Sequence, residues 1–329
     1  MNTLQIFIYI ILIIFFIQFI LILIDFTKGI YKYFILKELN LLDRYKKSWV
    51  IITGASSGQG KDFALQFAER GFNILMIGSK RTEQTQKIIK EKYPTVQTKI
   101  IYKDFRKAFE NDFFNEIDKV FKELNTNISI LINNVGYRTG WNPYHKMPTE
   151  LITDTIATGT IVQCRLTQMV IPYFLERRQK GINSALVNIT AQCLHNNFLF
   201  GITMSNEISI PYLSVYEATN AFGFYQGNSI YKEYKDQFDI LNITPGAVIT
   251  NNTEYLNDTF FSIDSDYFVK QIIKMIGNVQ GHTCAYWGHA FSTYIINLFP
   301  FMKNYILEKV GYTISKNYMN EYKKKSKSY

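Results

Sequence analysis

Apolar positions follow two different rhythms along this chain. Residues 4–24 are apolar except for Gln5 and Gln18. As a helix that run would be about 31 Å long, which matches a hydrocarbon core of about 30 Å, so it is expected to span a bilayer. From Trp49 onward, short runs rich in β-branched residues alternate with amphipathic stretches. Runs at 49–53, 73–77, 97–102, 129–132, 185–190, 239–243 and 283–287 read as strands, and 61–69, 83–93, 108–124, 150–178, 214–234 and 266–276 read as helices, one in each gap. Such alternation marks βαβ units and predicts an α/β fold, a doubly wound parallel sheet of about seven strands. No repeat or proline-rich linker divides it, and one core of roughly 240 residues is an ordinary size. The expected division is an anchor and juxtamembrane segment at 1–45, the α/β domain at 46–285, and an apolar segment with a basic tail at 286–329. Only 192–210 disturbs the alternation. It is long for a strand-to-helix connection, and both a lid and a plain surface insertion fit it.

Charge changes the reading of the two ends. The chain has 36 Lys+Arg against 27 Asp+Glu, a net charge of +9. Much of the excess sits beside the apolar ends, in Lys28, Lys32, Lys37, Lys46 and Lys47 and in Lys323, Lys324, Lys325 and Lys327. That placement points to an anionic membrane surface, and no motif points to nucleic acid. Lysines follow the first apolar run and none precedes it, so the positive-inside rule leaves the bulk of the chain in the cytosol. A cleaved signal peptide fits less well, since it needs a basic start, a shorter apolar run and a small-residue cleavage site. Cys164, Cys193 and Cys284 show no C-x-x-C spacing and suit a reducing compartment. The sequons at Asn127, Asn242, Asn251 and Asn257 then stay unmodified. The stretch 285–307 carries His289, Asn297, Pro300, Lys303 and Asn304, which argues against a second span and leaves an in-plane interfacial segment or a buried edge helix. Lys325 and Lys327 stand fifth and third from the end. That resembles a dilysine endoplasmic reticulum retrieval signal, with a basic tail near anionic lipid as the alternative reading.

The chemistry-bearing pattern opens the α/β domain. Val50-Ile51-Ile52-Thr53 runs straight into Gly54-Ala55-Ser56-Ser57-Gly58-Gln59-Gly60-Lys61, and a helix begins by Asp62. A diphosphate is held by backbone N–H groups at a helix N-terminus, and glycine lets the chain bend sharply and approach it closely. Gly54, Gly58 and Gly60 supply the bend, Ser56 and Ser57 add hydroxyl donors, and Gln59 lies within the turn, which together make a Rossmann-type dinucleotide site. The second strand should end beside the adenosine ribose, where a carboxylate would accept from a 2′-hydroxyl and a cation would pair with a 2′-phosphate. Lys80 and Arg81 stand there, with no carboxylate before Glu83. NADP(H) is therefore preferred to NAD(H).

The spacing Thr53-Gly54-x-x-x-Gly58-x-Gly60, with Asp104 after the third strand and Asn133-Asn134-Val135-Gly136 after the fourth, resembles the short-chain dehydrogenase/reductase superfamily. Tyr216 on a predicted helix, Pro245-Gly246 after the sixth strand and Thr250 beyond continue the match. The resemblance implies that Asp104 contacts adenine, that the Asn133–Gly136 loop supports the site, and that Pro245, Gly246 and Thr250 hold the nicotinamide end. The N-terminal apolar run, the Asn-Asn-Val-Gly variant, Thr167-Gln168-x-x-x-Pro172, Pro211-Tyr212-Leu213-Ser214-Val215-Tyr216 and Tyr286-Trp287-x-His289-Ala290 are similar to one branch, the very-long-chain 3-oxoacyl-CoA reductase and 17-beta-hydroxysteroid dehydrogenase type 12 group. Membership would imply an NADPH-dependent oxidoreductase of lipid carbonyls. Its reaction would be 3-oxoacyl-CoA reduction in very-long-chain fatty-acid elongation, with hydroxysteroid dehydrogenation as a further activity. The enzyme would sit in the endoplasmic reticulum membrane facing the cytosol. A lipid or acyl-CoA substrate, the membrane, a homodimer and the fatty-acid elongation enzymes are the partners this implies.

Three positions depart from the superfamily's catalytic set. Its tyrosine is followed four residues later by a lysine on the same helix face; Tyr216 is present, but Asn220 holds the lysine position. A free tyrosine has a pKa near 10, and a cation about 4 Å away contributes up to about 4 kcal/mol, roughly three pKa units. Asn220 cannot supply that charge, although its amide can still bond a ribose hydroxyl. The carbonyl-polarising serine is replaced by Ala191, leaving Thr190, or Thr203 or Ser205 of the insertion, as substitutes, and the relay asparagine aligns near Gly159. Tyr231 and Lys235 have the right spacing, but they lie too close to Pro245 in sequence to reach the nicotinamide end. Two readings remain open: a reductase using Tyr216 as proton donor with help from Thr190 or water, and a catalytically impaired dinucleotide-binding protein with a regulatory or scaffold role.

Overall fold

A computed structural model describes residues 3–137, 142–191, 198–199, 202–203, 211–250, 259, 262–298, 305, 309, 312–313 and 316. The first apolar run forms α1 (Thr3–Ile30), prolonged by a π-helical turn at Tyr31–Ile35. No residue of either is buried, and Thr3–Ile35 is long and apolar enough to cross a membrane. A short α2 (Leu41–Tyr45), capped by the Asn40 side chain, leads into the sheet. The alternating part then runs β1 (Trp49–Thr53), α3 (Gly58–Glu69), β2 (Asn73–Gly78), α4 (Thr82–Lys92), β3 (Thr98–Tyr102), α5 (Asn115–Leu124) and β4 (Ile128–Asn133). It continues through α6 (Thr149–Ile156), α7 (Val162–Gln179) and β5 (Ala185–Ile189), then a short pair, β6 (Phe198–Leu199) and β7 (Ile202–Thr203), and α8 (Ser214–Tyr234). The last elements are β8 (Asp239–Ile243), β9 (Ala247–Ile249), β10 (Ser262–Asp264), α9 (Ser265–Met275), β11 (Gly281–Thr283) and α10 (Trp287–Leu298).

Seven strands form one parallel sheet in the order β11-β8-β5-β4-β1-β2-β3. The central strands β1, β2 and β4, buried on both faces, read as nearly continuous apolar runs. Alternate residues serve opposite layers. Val50, Ile52, Ile74 and Met76 pack under α3 and α9, whereas Ile51, Leu75 and Ile77 pack with α5 and α7. The strand order reverses between β1 and β4, so the crevice beyond their carboxyl ends is where such a sheet takes a ligand.

Several boundaries differ from those the pattern predicts. The last strand is β11, not 283–287, because Ala285 has φ +58° and takes the chain out of extended geometry before α10. The expected helix at 150–178 is interrupted by a π-helical stretch, Ala157–Ile161, between α6 and α7. The helix expected from 108 begins at Asn115, after turns that follow a 3-10 segment, Phe105–Lys107. In the 192–210 insertion only the antiparallel pairing of β6 with β7 is described. The remainder of that insertion with Cys193 and Ser205, the sequons Asn251 and Asn257, most of 299–316 and the whole 317–329 tail lie outside the described residues.

The juxtamembrane residues join the core. Leu36, Leu41 and Tyr45 are buried against the α3 and α9 layer. Arg44 grips Asp239 at the start of β8 through Nε (2.8 Å) and Nη2 (2.9 Å), while the Tyr45 hydroxyl donates to the same carboxylate at 2.6 Å. Gln280 Nε2 adds a fourth bond at 2.8 Å. Asp239 raises the Arg44 pKa further, and burial pushes the Tyr45 phenol well up.

Candidate functional site

The crevice begins where β1 ends. The chain turns at Gly54, φ +71°, and at Gly58, φ +52°, angles that residues with a Cβ rarely adopt. At Gly60 the limit is space: a Cβ would run into the Gly54 carbonyl and stand 2.6 Å from Asn134 Nδ2. α3 therefore starts flush against the strand end. Its N-cap Ser57 makes no side-chain capping bond, and no acidic residue stands in its first turn. The first N–H groups of α3 thus have neither a capping side chain nor a carboxylate in their own turn, an arrangement suited to a diphosphate. Ser56 and Gln59 are half-buried in the same turn, and Gln59 Oε1 is buried with no hydrogen-bond partner.

Thr53 staples the neighbouring loop to this turn. Its Oγ1 accepts from the N–H groups of Asn134 (2.9 Å) and Val135 (3.0 Å), and its carbonyl accepts from Asn134 Nδ2 at 2.9 Å. Asn133 lies deeper. Its Nδ2 donates to Thr167 Oγ1 (3.0 Å) and Asn188 Oδ1 (2.9 Å), and Asn188 donates on to Asn242 Oδ1 at 2.9 Å. Because these three asparagines are register partners on β4, β5 and β8, they form a buried amide ladder under the crevice. Gly136 is exposed, and a Cβ there would meet nothing within 4 Å.

The opposite wall is the segment after β8. Thr250 Cγ2 comes within 3.1 Å of where a Gly58 Cβ would stand, which brings 246–250 onto the glycine turn. Pro245 is buried, and the Gly246 N–H donates to His289 Nδ1 at 3.1 Å. The other ring nitrogen of His289 lies 3.1 Å from the Ala247 carbonyl, so His289 clasps this turn with both nitrogens. No spacing rule links residues 43 apart in sequence, and the sequence reading missed this role.

At the adenosine end, Lys80 and Arg81 are exposed just before α4, and among the described residues neither is held in an ion pair. Asp104 is already engaged. Arg106 Nε and Nη2 reach its two oxygens at 2.9 and 2.6 Å, and the guanidinium holds the carboxyl below its usual range.

Tyr216 is half-buried near the start of α8. That helix sits close to its neighbours along Thr219, Gly223 and Gly227. A Cβ on Gly159, in the π-helical stretch, would stand 2.8 Å from Thr219, and one on Gly223 would stand 2.9 Å from Thr190 Cγ2. Asn220 turns back on its own helix, its Nδ2 donating to the Tyr216 carbonyl at 2.8 Å, where Thr219 Oγ1 also donates at 2.8 Å. The Thr190 hydroxyl donates to the Ile243 carbonyl at 3.1 Å, which removes its hydrogen from use in polarising a substrate. Thr203 falls in β7; its side chain lies outside the described residues. Tyr231 packs on Gly281 at the amino end of β11, about 22 Å along α8 from Tyr216. The structure thus brings the glycine turn, the Asn133–Gly136 loop and the 246–250 segment together, with Lys80, Arg81 and Asp104 along the adjoining strand ends. No metal-binding group of three or more His, Cys, Asp or Glu occurs among the described residues.

Known proteins resemble this chain in sequence and in fold. Residues 48–259, more than half of the chain, match the family model described as short chain dehydrogenase. The 17-beta-hydroxysteroid dehydrogenase type 3 of Homo sapiens is 31% identical over 257 residues, 77% of this chain and 75% of that protein. The very-long-chain 3-oxoacyl-CoA reductase of Emericella nidulans is 30% identical over 76% of this chain and 70% of its own length, and that of Rattus norvegicus is 28% identical over 85% and 83%. Among solved structures, a short-chain dehydrogenase from Sphingobium yanoikuyae in complex with NADPH superposes with a TM-score of 0.57 at 21% identity, covering 72% of this chain and 87% of that one. Its likeness shows the fold. With the parallel sheet, the reversal between β1 and β4 and the glycine turn all in place, the chain belongs to the short-chain dehydrogenase family.

Proposed function

We propose that this chain is a membrane-anchored, NADPH-dependent oxidoreductase of lipid carbonyls, acting on 3-oxoacyl-CoA at the cytosolic face of the endoplasmic reticulum. The observation that carries the reading is the uncapped start of α3 behind Gly54, Gly58 and Gly60, facing the 246–250 wall across the crevice. A dinucleotide fits the residues present, because the first turn of α3 offers N–H groups and Gly60 lets that turn lie flush against the end of β1. Lys80 and Arg81 support a 2′-phosphate, hence NADPH. The curated relatives named as 3-oxoacyl-CoA reductases support the substrate class, and α1 together with Lys28, Lys32 and Lys37 supports an anchor with the domain in the cytosol. A homodimer and contact with elongation enzymes belong to this reading as expectations.

NADPH, when bound, supplies a hydride to the carbonyl carbon. The protein's part is a proton for the oxygen, and Tyr216 holds it. Asn220 stands one helical turn after Tyr216, where the family has a cation, and its neutral amide supplies no charge there. Proton donation is then weak, and losing efficient general-acid assistance costs about 10² to 10⁴ in rate. A slow reductase follows. The test is NADPH oxidation by the full-length protein with a 3-oxoacyl-CoA, and in a parallel arm a steroid ketone. Turnover abolished by Tyr216→Phe supports the enzyme.

Packing around Tyr216 favours a second reading, a dinucleotide-binding protein without turnover and with a regulatory or scaffold role. Gly159 is pressed so close to Thr219 that the relay asparagine could not be accommodated without movement. NADPH binding by calorimetry with no oxidation of any carbonyl substrate would select this reading. No binding of either nicotinamide nucleotide would remove both.

A further inference from the structure

The first turns of α10 have inverted polarity. Its inward face carries His289, 1% exposed, and Thr293, 9% exposed, one turn apart. His289 is bonded to the Gly246–Ala247 turn, and Thr293 Oγ1 donates to the His289 carbonyl at 2.9 Å. The outward face carries Trp287, 36% exposed, and Phe291, 49% exposed, also one turn apart. Positions two residues apart differ by about 160° around a helix, so the polar pair faces the domain and the aromatic pair faces away from it. A helix on the surface of a soluble domain is built the other way round.

What covers the aromatic face is indicated by its neighbour. Phe34, in the turn that prolongs α1, places its ring 5.7 Å from that of Trp287. The outward face of α10 is therefore continuous with the unburied apolar surface of Thr3–Ile35. The exit of α1 is fixed to the domain at the same place. The Tyr33 hydroxyl lies 3.4 Å from Thr283 Oγ1, and Lys274 Nζ donates to the Tyr33 carbonyl at 3.1 Å. Lys28, Lys32 and Lys37 flank the exit in sequence, the placement that anionic headgroups favour. Thr283 ends β11, its carbonyl accepts from the Thr244 N–H, and Gly246 follows two residues later. This patch thus lies at the carboxyl end of β8 and β11, beside the 246–250 wall of the crevice.

We propose that Phe34, Trp287 and Phe291 form a second membrane contact, seated at the headgroup–acyl boundary of the phospholipid bilayer that holds α1, so that the carboxyl end of β8 and β11 faces lipid. The proposal rests on the membrane-anchor reading above. A lipid carbonyl then meets the crevice from the bilayer side, and His289 joins the membrane contact directly to the Gly246 turn.

The experiment places the full-length protein in phosphatidylcholine–phosphatidylserine vesicles containing a phosphatidylcholine with a diazirine in its acyl chain. Flotation comes first, then illumination and peptide mapping. Photo-adducts are expected in the peptides containing Phe34 and 287–291, and none at Trp49 or in α4. A second measurement uses brominated phosphatidylcholine. A chain keeping only Trp287 (Trp49→Phe, Trp141→Phe) is expected to be quenched at least threefold more than one keeping only Trp49. Vesicle flotation without adducts at 287–291 overturns this inference and leaves the anchor standing. Failure to float removes the anchor and the inference together. Adduct-free 287–291 with a disulfide between two Phe291→Cys chains would assign the face to a second copy and overturn the membrane contact.

Discussion

Asn220 is the residue on which the catalytic reading turns. It lies one helical turn after Tyr216, where a cation would act on the phenol at short range. Asn220→Lys is expected to raise the rate of NADPH oxidation with a 3-oxoacyl-CoA at least tenfold and to shift the pH–rate profile toward neutral. An unchanged rate in a variant that still binds NADPH would show that the loss lies at Ala191 and Gly159 as well. Cofactor choice is likewise a matter of single side chains. Lys80 and Arg81 are exposed, so on the proposed reading each would pair with the 2′-phosphate in high dielectric and contribute on the order of 1 kcal/mol. Lys80→Glu with Arg81→Glu is expected to weaken NADPH by roughly tenfold or more while leaving NADH within a few-fold. Equal loss for both nucleotides in paired titrations would refute the assignment of these residues to the 2′-phosphate.

At the scale of elements, α8 shows a packing style that periodicity does not reveal. Thr219, Gly223 and Gly227 recur every four residues and let the helix approach Gly159, Thr190 and Asn242 closely. A Cβ on Gly227 would overlap the Asn242 amide, which already accepts from Asn188 in the ladder. Gly227→Ala should therefore cost about 1–3 kcal/mol, although alanine is the better helix former, because overpacking against a buried polar group outweighs propensity. Chemical denaturation with an unchanged m value and a lower midpoint would show it; a more stable variant would contradict the close approach. This interface also explains what the sequence could and could not reveal. Strands such as Asn73–Gly78 were legible because burial on both faces leaves a continuous apolar run. The glycine turn was legible because its requirement is steric and local. The π-helical stretch was not, since Ala157–Ile161 keeps helical polarity and only the contact of Gly159 with Thr219 distinguishes it. The end of β11 was hidden for a related reason: 283–287 has strand-like composition, but the angle at Ala285 governs. His289 and Gly246 meet only through tertiary structure.

For the whole molecule, the question is where the N-terminal apolar helix stops and the domain begins. Composition suggests 46, and hydrogen bonds to two buried charges cross that point. Asp239 is 6% exposed and receives four hydrogen bonds, three of them from Arg44 and Tyr45. Buried Arg177, its pKa pushed down to about 10 by desolvation, donates to the carbonyls of Tyr45, Thr126 and Asn183 and to Ser184 Oγ. Two buried charges at the amino end of the sheet thus depend on the segment that links the apolar helix to the sheet. Removing residues 1–30 leaves Leu36, Leu41, Arg44 and Tyr45 in place and is expected to yield a folded protein that still binds NADPH. Removing 1–45 strips Asp239 of three hydrogen bonds, two given by Arg44 and one by Tyr45, and strips Arg177 of one. Leaving a buried charge uncompensated costs about 3–5 kcal/mol, a large share of the 5–15 kcal/mol that holds a domain together. The shorter chain should melt about 6–20 °C lower. Asp239→Asn in that shorter chain removes the unpaired charge and should recover part of the loss, whereas the same change in the longer chain breaks the Arg44 pairing and should lower its melting temperature. Equal melting temperatures for the two truncations would mean that Arg44 and Tyr45 are passengers, and the domain would then begin at the first strand after all.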